Sequence, residues 1–222
     1  MLQSPQQRQP AGTTSARGGF TLIELLVVIA IIGLLAGILI PTVQSISSQG
    51  YRTRTTAHMA VLDKGAQQYH ADNGVYPGQK NWGNWSTDTA SQMLVRYLFT
   101  PKEDNPFGSG WEPEDAYVGN PPENLLDETG NEVGKKWAPM DGFPRPMAIC
   151  YWPAHPDRPG SVKQFSEGQN SSLLTNKEGN LDKMVRNDKT GIPHGDGKYI
   201  FIAAGEDRVF FTTDDVTSWK KD

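Results

Sequence analysis

Only one cysteine, Cys150, stands in the 222 residues. No disulfide can close within the chain, even in a compartment that would permit one. Cys150 lies in an apolar run and reads as a small core residue. Histidine is scarce too. His58, His70, His155 and His194 are scattered without zinc-ligand spacing. No G-x-S-x-G turn and no phosphate loop is present, so no familiar hydrolase or nucleotide-binding pattern argues for an enzyme. Basic residues are outnumbered, 21 against 25 acidic, for a formal charge of −4. An acidic chain argues against nucleic-acid binding.

Polarity is what the stretch from Leu25 to Ile40 lacks. No side chain in it is polar. From Phe20 to Val43 the segment counts 24 residues, about 36 Å as a helix. The hydrocarbon core of a bilayer is about 30 Å thick, so the helix is long enough to span it. A secretory signal peptide would need a small-residue cleavage site after its apolar core. Here the glycines precede the core, and no such site follows. Glu24 is the anomaly, because an ionisable group at the edge of a spanning helix is costly and marks function. A plain N-terminal anchor with an incidental Glu24 stays open on composition alone. Residues 1–18 are rich in Gln, Ser, Thr, Pro and Gly and read as a disordered leader. Arg8 and Arg17 in that leader place it on the cytoplasmic side and the C-terminal domain on the other. The leader holds no acid, so the side chains after Gly19 sum to −6.

Gly19-Phe20-Thr21-Leu22-Ile23-Glu24 followed by an apolar helix resembles the class III signal of type IV pilins and type II secretion pseudopilins. The resemblance implies a prepilin peptidase that cuts between Gly19 and Phe20 and methylates the new amine of Phe20. Glu24 becomes the fifth mature residue. A carboxylate there could pair with the Phe20 amine of a neighbouring subunit, weakly screened in lipid, and set axial register. Gly33, Ala36 and Gly37 offer small surfaces for close helix approach. Pro41 removes a backbone donor and is expected to kink or loosen the helix. In the resembling pilins the stretch before such a proline can lose helicity on assembly, so residues 33–41 carry that expectation here.

Thr55, Met59, Leu62, Ala66 and Tyr69 then recur at steps of four and three, the stripe of a helix with one buried face. The helix is expected to run to about Asp72 and to stop at Asn73-Gly74. The run from Tyr69 through Asp72-Asn73-Gly74 to Tyr76-Pro77 looks like the helix end of major pseudopilins of type II secretion. Residues 79–139 read as long loops with a short helix at 89–98. Trp82, Trp85, Trp111 and Trp137 there either cap a small core or form a stacking platform for sugars. A strand is expected at 147–152, after an Asp141 to Pro146 turn loosely similar to the pseudopilin turn. Residues 153–192 read as a polar insertion with a short helix at 181–186. Two strand-like runs, 198–203 and 208–212, flank Ala204-Gly205-Glu206-Asp207 and suggest an antiparallel hairpin.

Asp207, Asp214 and Asp215 are hard oxygen donors near one loop, suited to calcium. The resemblance implies a calcium in this C-terminal loop as well. The departure is Val209-Phe210-Phe211, strand-like where the pseudopilins have a glycine-rich spacer. An acidic, solvated loop is the alternative.

The expected architecture is α+β: a long protruding N-terminal helix, transmembrane in its first half, on a small antiparallel β-sheet. Its parts are a leader at 1–19, an assembly helix at 20–43, an amphipathic half at 44–74 and a loop-rich β domain at 75–222. The resemblance implies a structural subunit of a periplasmic pseudopilus, not an enzyme, anchored once in the inner membrane. Its implied partners are the prepilin peptidase, copies of itself, the inner-membrane assembly platform and minor pseudopilins, with no nucleic acid. Two alternatives stay open: a type IV pilus subunit for adhesion or DNA uptake, and a membrane-tethered carbohydrate-binding module.

Overall fold

The structure, a computed structural model, describes residues 20–81, 88–99, 116–119, 121–122, 124–129, 136–161, 163–195 and 197–219. The chain divides into two units, Met1–Ser45 and Ile46–Asp222. Gly19, the leader, Trp82, Trp85 and Trp111 lie outside the described residues.

Helix α1 runs Leu22–Asn73. Its first part, Leu22–Ile40, is long and apolar enough to cross a membrane, and none of it is buried within the chain. The backbone stays helical through Pro41; the side chains of residues 41–45 lie outside the described set. The end is set where the sequence places it. Gly74 takes φ +71°, and its N–H donates to the His70 carbonyl at 2.8 Å. A residue without Cβ holds that left-handed conformation at no steric cost.

Within Ile46–Asp222 the stripe of α1 is buried as its spacing requires. Thr55, Met59, Leu62 and Ala66 are inaccessible or nearly so, and Tyr69 is half-buried. Burying one such leucine contributes about 2 kcal/mol. Helix α2 (Ala90–Phe99) adds Leu94 and Leu98 to the same core. Strands β1 (Leu126–Thr129) and β2 (Lys136–Pro139) pair antiparallel. A second sheet holds β3 (Cys150–Pro153), β4 (Tyr199–Ala203) and β5 (Val216–Thr217), in the order β3-β4-β5, all antiparallel. Tyr151 lies opposite Phe201 in the β3–β4 register.

Both faces of this sheet are covered. Successive side chains on a strand point to opposite faces. Tyr151, Tyr199 and Phe201 pack with α1 and α2, whereas Cys150, Trp152, Ile200 and Ile202 enter a second core. That second core is closed by Phe165, Leu174, Leu181 and Val185. The polar insertion is therefore structural, because it covers the far face of the sheet. Its short helix α3 spans Leu181–Val185, capped by the Asn180 carboxamide, which accepts from Lys183 N–H at 2.8 Å. Buried Asn170 ties the cover to the core by donating to the Tyr151 carbonyl at 2.6 Å and accepting from Ser91 Oγ at 2.8 Å. Cys150 is fully buried, and burial pushes its thiol pKa well up, which makes it an inert core residue.

One expectation is corrected. Residues 208–212 are not the second strand of a hairpin; β4 pairs instead with β5. Arg208 and Phe211 take φ +61° and +68°, which no strand contains. Phe210 and Phe211 both enter the second core, although neighbours in a strand would face opposite ways. The backbone of Phe210 pairs with the Asn176 to Glu178 segment, through bonds of 3.0 and 2.9 Å. Strand β3 also starts at Cys150, later than expected, with only an isolated bridge from Ala148 to Met140 before it.

Candidate functional site: the apolar helix and the acidic loop

The N-terminus of α1 is a built cap. Thr21 N–H and Thr21 Oγ1 donate to Glu24 Oε2 at 2.8 and 2.7 Å, and Glu24 N–H donates to Thr21 Oγ1 at 3.3 Å. This is a reciprocal capping box, which satisfies donors that the first helical turn leaves open. Thr21 was not singled out in the sequence, although Thr-x-x-Glu before an apolar run is a recognised signal for it. Glu24 thus has a partner of its own in the single chain, and its second oxygen, Oε1, lies outside these bonds. Phe20 stands exposed directly before the cap.

The residues of the second motif are packing residues. Tyr151 Oη donates to the Pro77 carbonyl at 2.9 Å. Tyr76 stacks on His70 at 4.2 Å and meets Tyr199 edge-on at 4.8 Å. His58 Nδ1 bonds the Met140 carbonyl, His155 Nδ1 accepts from Asp157 N–H, and His194 stacks on Trp219. The four histidines sit in four separate places.

The loop from Ala204 to Asp215 gathers the acidic residues. Asp207, Asp214 and Asp215 each place an oxygen within 4.8 Å of the others, from exposed, half-buried and buried positions respectively. Two oxygens on opposite sides of one Ca²⁺ lie about 4.8 Å apart, so the spacing suits a single cation. The loop's own bonds hold these carboxylates in place. Val209 N–H donates to Asp207 Oδ1 at 2.8 Å, and Phe211 N–H donates to Asp215 Oδ2 at 2.8 Å. Thr212 Oγ1 lies 2.5 Å from Asp214 Oδ1 and 3.1 Å from Asp215 Oδ1. Arg52 reaches Asp214 at 3.7 Å, and Ser48 Oγ donates to Glu206 at 2.6 Å. Partial burial works to raise the Asp214 pKa, but the Thr212 hydroxyl and the Asp207 backbone amide outweigh it and hold the carboxyl below its ordinary value. The stability this bonding supplies is therefore present above the ordinary carboxylate pKa. It is lost as pH falls through the lower folded value.

Arg208 is the residue that sequence reasoning missed. Its guanidinium reaches Asp141 Oδ2 at 2.8 Å and donates to the carbonyls of Ala204, Gly205 and Arg145 at 3.2, 3.2 and 2.6 Å. It also lies 5.0 Å over the Phe143 ring. Burial pushes the Asp141 carboxyl up, against the pull of Arg208 and of nearby backbone amides. The pair pins the loop to the Asp141 to Pro146 turn. A single arginine between Glu206-Asp207 and Val209-Phe210-Phe211 carries no pattern that would have revealed it.

Residues 14–40 match the prokaryotic N-terminal methylation motif. The chain is 27% identical to the type II secretion system core protein G of Klebsiella michiganensis over 106 residues, which is 48% of this chain and 66% of that protein. It is 45% identical over 58 residues to the type IV wide pilus major component of Thermus thermophilus, 26% of this chain and 44% of that protein. It thus spans a little under two thirds of the first of these relatives and less than half of the second. No solved structure matches it. Against the type II secretion system core protein G of Pseudomonas aeruginosa the identity is 30% over 115 residues, 52% of this chain and 70% of that protein. With its methylation motif, capped apolar helix and α+β domain, the chain belongs to the family of type II secretion system core protein G.

Proposed function

We propose that this protein is the structural subunit of a periplasmic pseudopilus of type II secretion. The observation that carries the reading is the wholly unburied apolar stretch Leu22–Ile40. Such a surface needs lipid before assembly and neighbouring helices after it. Prepilin peptidase removes residues 1–19 and methylates Phe20, and the assembly platform and minor pseudopilins receive the product. Glu24 then exchanges its Thr21 cap for the Phe20 amine of a neighbour. Residues 33–41 loosen as subunits pack. The intact mass of the protein from membranes of its own host tests the pathway. A chain starting at methylated Phe20 is expected, and Gly19→Ala is expected to leave full-length precursor. A full-length wild-type mass would overturn the reading.

Asp207, Asp214 and Asp215 are the residues that would hold calcium, which would supply a multivalent tie across the loop in place of Arg52. Calcium at a hundredfold excess over Kd stabilises by about 2.7 kcal/mol. At about 3 °C per kcal/mol, thermal unfolding of the full chain in detergent is expected to shift by roughly 8 °C. Asp207→Asn keeps an acceptor for Val209 N–H and removes one charge, so it is expected to abolish most of that rise. A wild-type melting temperature indifferent to calcium would end the assignment.

A second reading, a type IV pilus subunit, is favoured by the 45% identity to the Thermus wide-pilus component. Long surface filaments containing this chain, in place of short periplasmic ones, would select it.

A further inference from the structure

Two clefts in the Ile46–Asp222 unit meet at Trp219. The first, of about 610 Å³, opens between the α3 region and the end of the acidic loop. Lys183, Arg186 and Lys189 line it against a single acid, Asp188. Lys183 and Arg186 form no ion pair among the described residues. Three cations gathered on a chain of net charge −4 form a local patch that the overall charge does not explain. His194 lines this cleft and stacks on the Trp219 indole at 5.0 Å and 14°. The second cleft, of about 440 Å³, shares Trp219 and adds Asp63, Gln67, Tyr76 and Lys198. Asp63 there accepts from Tyr199 Oη at 2.6 Å and from Gln67 Nε2 at 2.7 Å, so its polar wall is held in place.

We propose that the paired clefts bind an acidic polysaccharide, its carboxylate-bearing sugar rings running across Trp219. Each cleft has the volume of a small-molecule site with a few convergent polar groups. An indole offers a flat apolar face to the C–H side of a sugar ring, and its N–H offers a donor to a hydroxyl. Arg186 and the two lysines supply charge-assisted bonds to ring carboxylates. A polyphosphate offers neither a C–H face to the Trp219 indole nor a neutral hydroxyl to the polar wall. Uronate rings instead intersperse each charge with neutral hydroxyls that Gln67 and Asp63 can bond. The proposed binding uses none of the tryptophans of the 79–139 insertion and does not depend on filament assembly.

The test is calorimetric titration of the full-length chain, in detergent, with short oligogalacturonates. Saturable binding is expected. Lys183→Ala and Arg186→Ala, both at exposed positions, are each expected to weaken it about tenfold, the worth of about 1.4 kcal/mol. Uncharged maltooligosaccharides of equal length are expected to bind at least tenfold more weakly. Trp219 packs on the second core, so Trp219→Phe accompanies Trp219→Ala to separate stacking from folding; both are expected to weaken binding. Absence of binding, or binding untouched by the Lys183 and Arg186 changes, overturns the proposal. Equal affinity for polyglutamate also overturns it and assigns the patch to an acidic protein segment.

Discussion

Replacing Glu24 by Ala is expected to leave cleavage at Gly19 intact and to abolish filaments. The cleavage site lies before Phe20, outside the helix that Glu24 begins. Assembly is different. In the proposed filament the Phe20 amine of one subunit enters an apolar environment beside the Glu24 of another. Removing one partner of a buried ion pair costs about 3–5 kcal/mol, because the remaining charge is stranded. At about 1.4 kcal/mol per tenfold, the concentration needed for assembly rises at least a hundredfold. The capping box complicates the alanine variant, since Glu24 also accepts two bonds from Thr21. Glu24→Gln separates the roles. Glutamine at this position completes a capping box as glutamate does, but it carries no charge. Both variants are expected to be processed and neither to assemble, as read by intact mass and by filament yield. Normal filaments from Glu24→Gln would mean that the cap, and not the charge, is what assembly requires.

What the sequence made legible follows the physics of each segment. Sixteen residues without a polar side chain admit few environments, and the Thr55 to Tyr69 stripe admits one helical face. Both were readable, as were the Asn73-Gly74 stop and strand β4. The cover of the far sheet face was not. Phe165 and Leu174 anchor it singly between polar turns, and Leu181 and Val185 share a helix of only five residues, so no sustained period of 2 or 3.6 arises. Residues 208–212 misled for a related reason. Val209-Phe210-Phe211 has strand composition, but the turn is decided by carboxylates on either side of it: Asp215 captures the Phe211 amide and Asp207 the Val209 amide. Side-chain bonds to the backbone compete with a ladder, and local propensity does not register them. The Asp triad was found from its chemistry. Arg208, which pins the loop that carries it, was invisible because its partner Asp141 is 67 positions away.

Gly205→Ala is expected to disrupt that loop more than any exposed substitution in the domain. A Cβ at Gly205 would stand 2.1 Å from Asp214 Oδ2, 2.4 Å from its Cγ and 2.4 Å from its backbone carbonyl oxygen. Rotating the Asp214 side chain away relieves the first two contacts and not the third. The backbone must therefore move, and with it the Arg208 bonds to the carbonyls of Ala204 and Gly205. Overpacking of this kind costs about 3 kcal/mol, the upper part of its usual range. For a domain of this size the melting temperature is expected to fall by roughly 9 °C. Gly160→Ala is the control. It sits at φ +73° with nothing within 4 Å of the added Cβ, so it meets conformational strain alone, about 1 kcal/mol. The two variants differ in what they do to the acidic loop. Gly205→Ala is expected to lose the calcium-dependent rise in melting temperature, because Asp214 is displaced from Asp207 and Asp215. Gly160→Ala is expected to keep it at full size. Equal destabilisation by the two, with the calcium response intact in both, would mean that the close approach of Gly205 to Asp214 does not organise the loop.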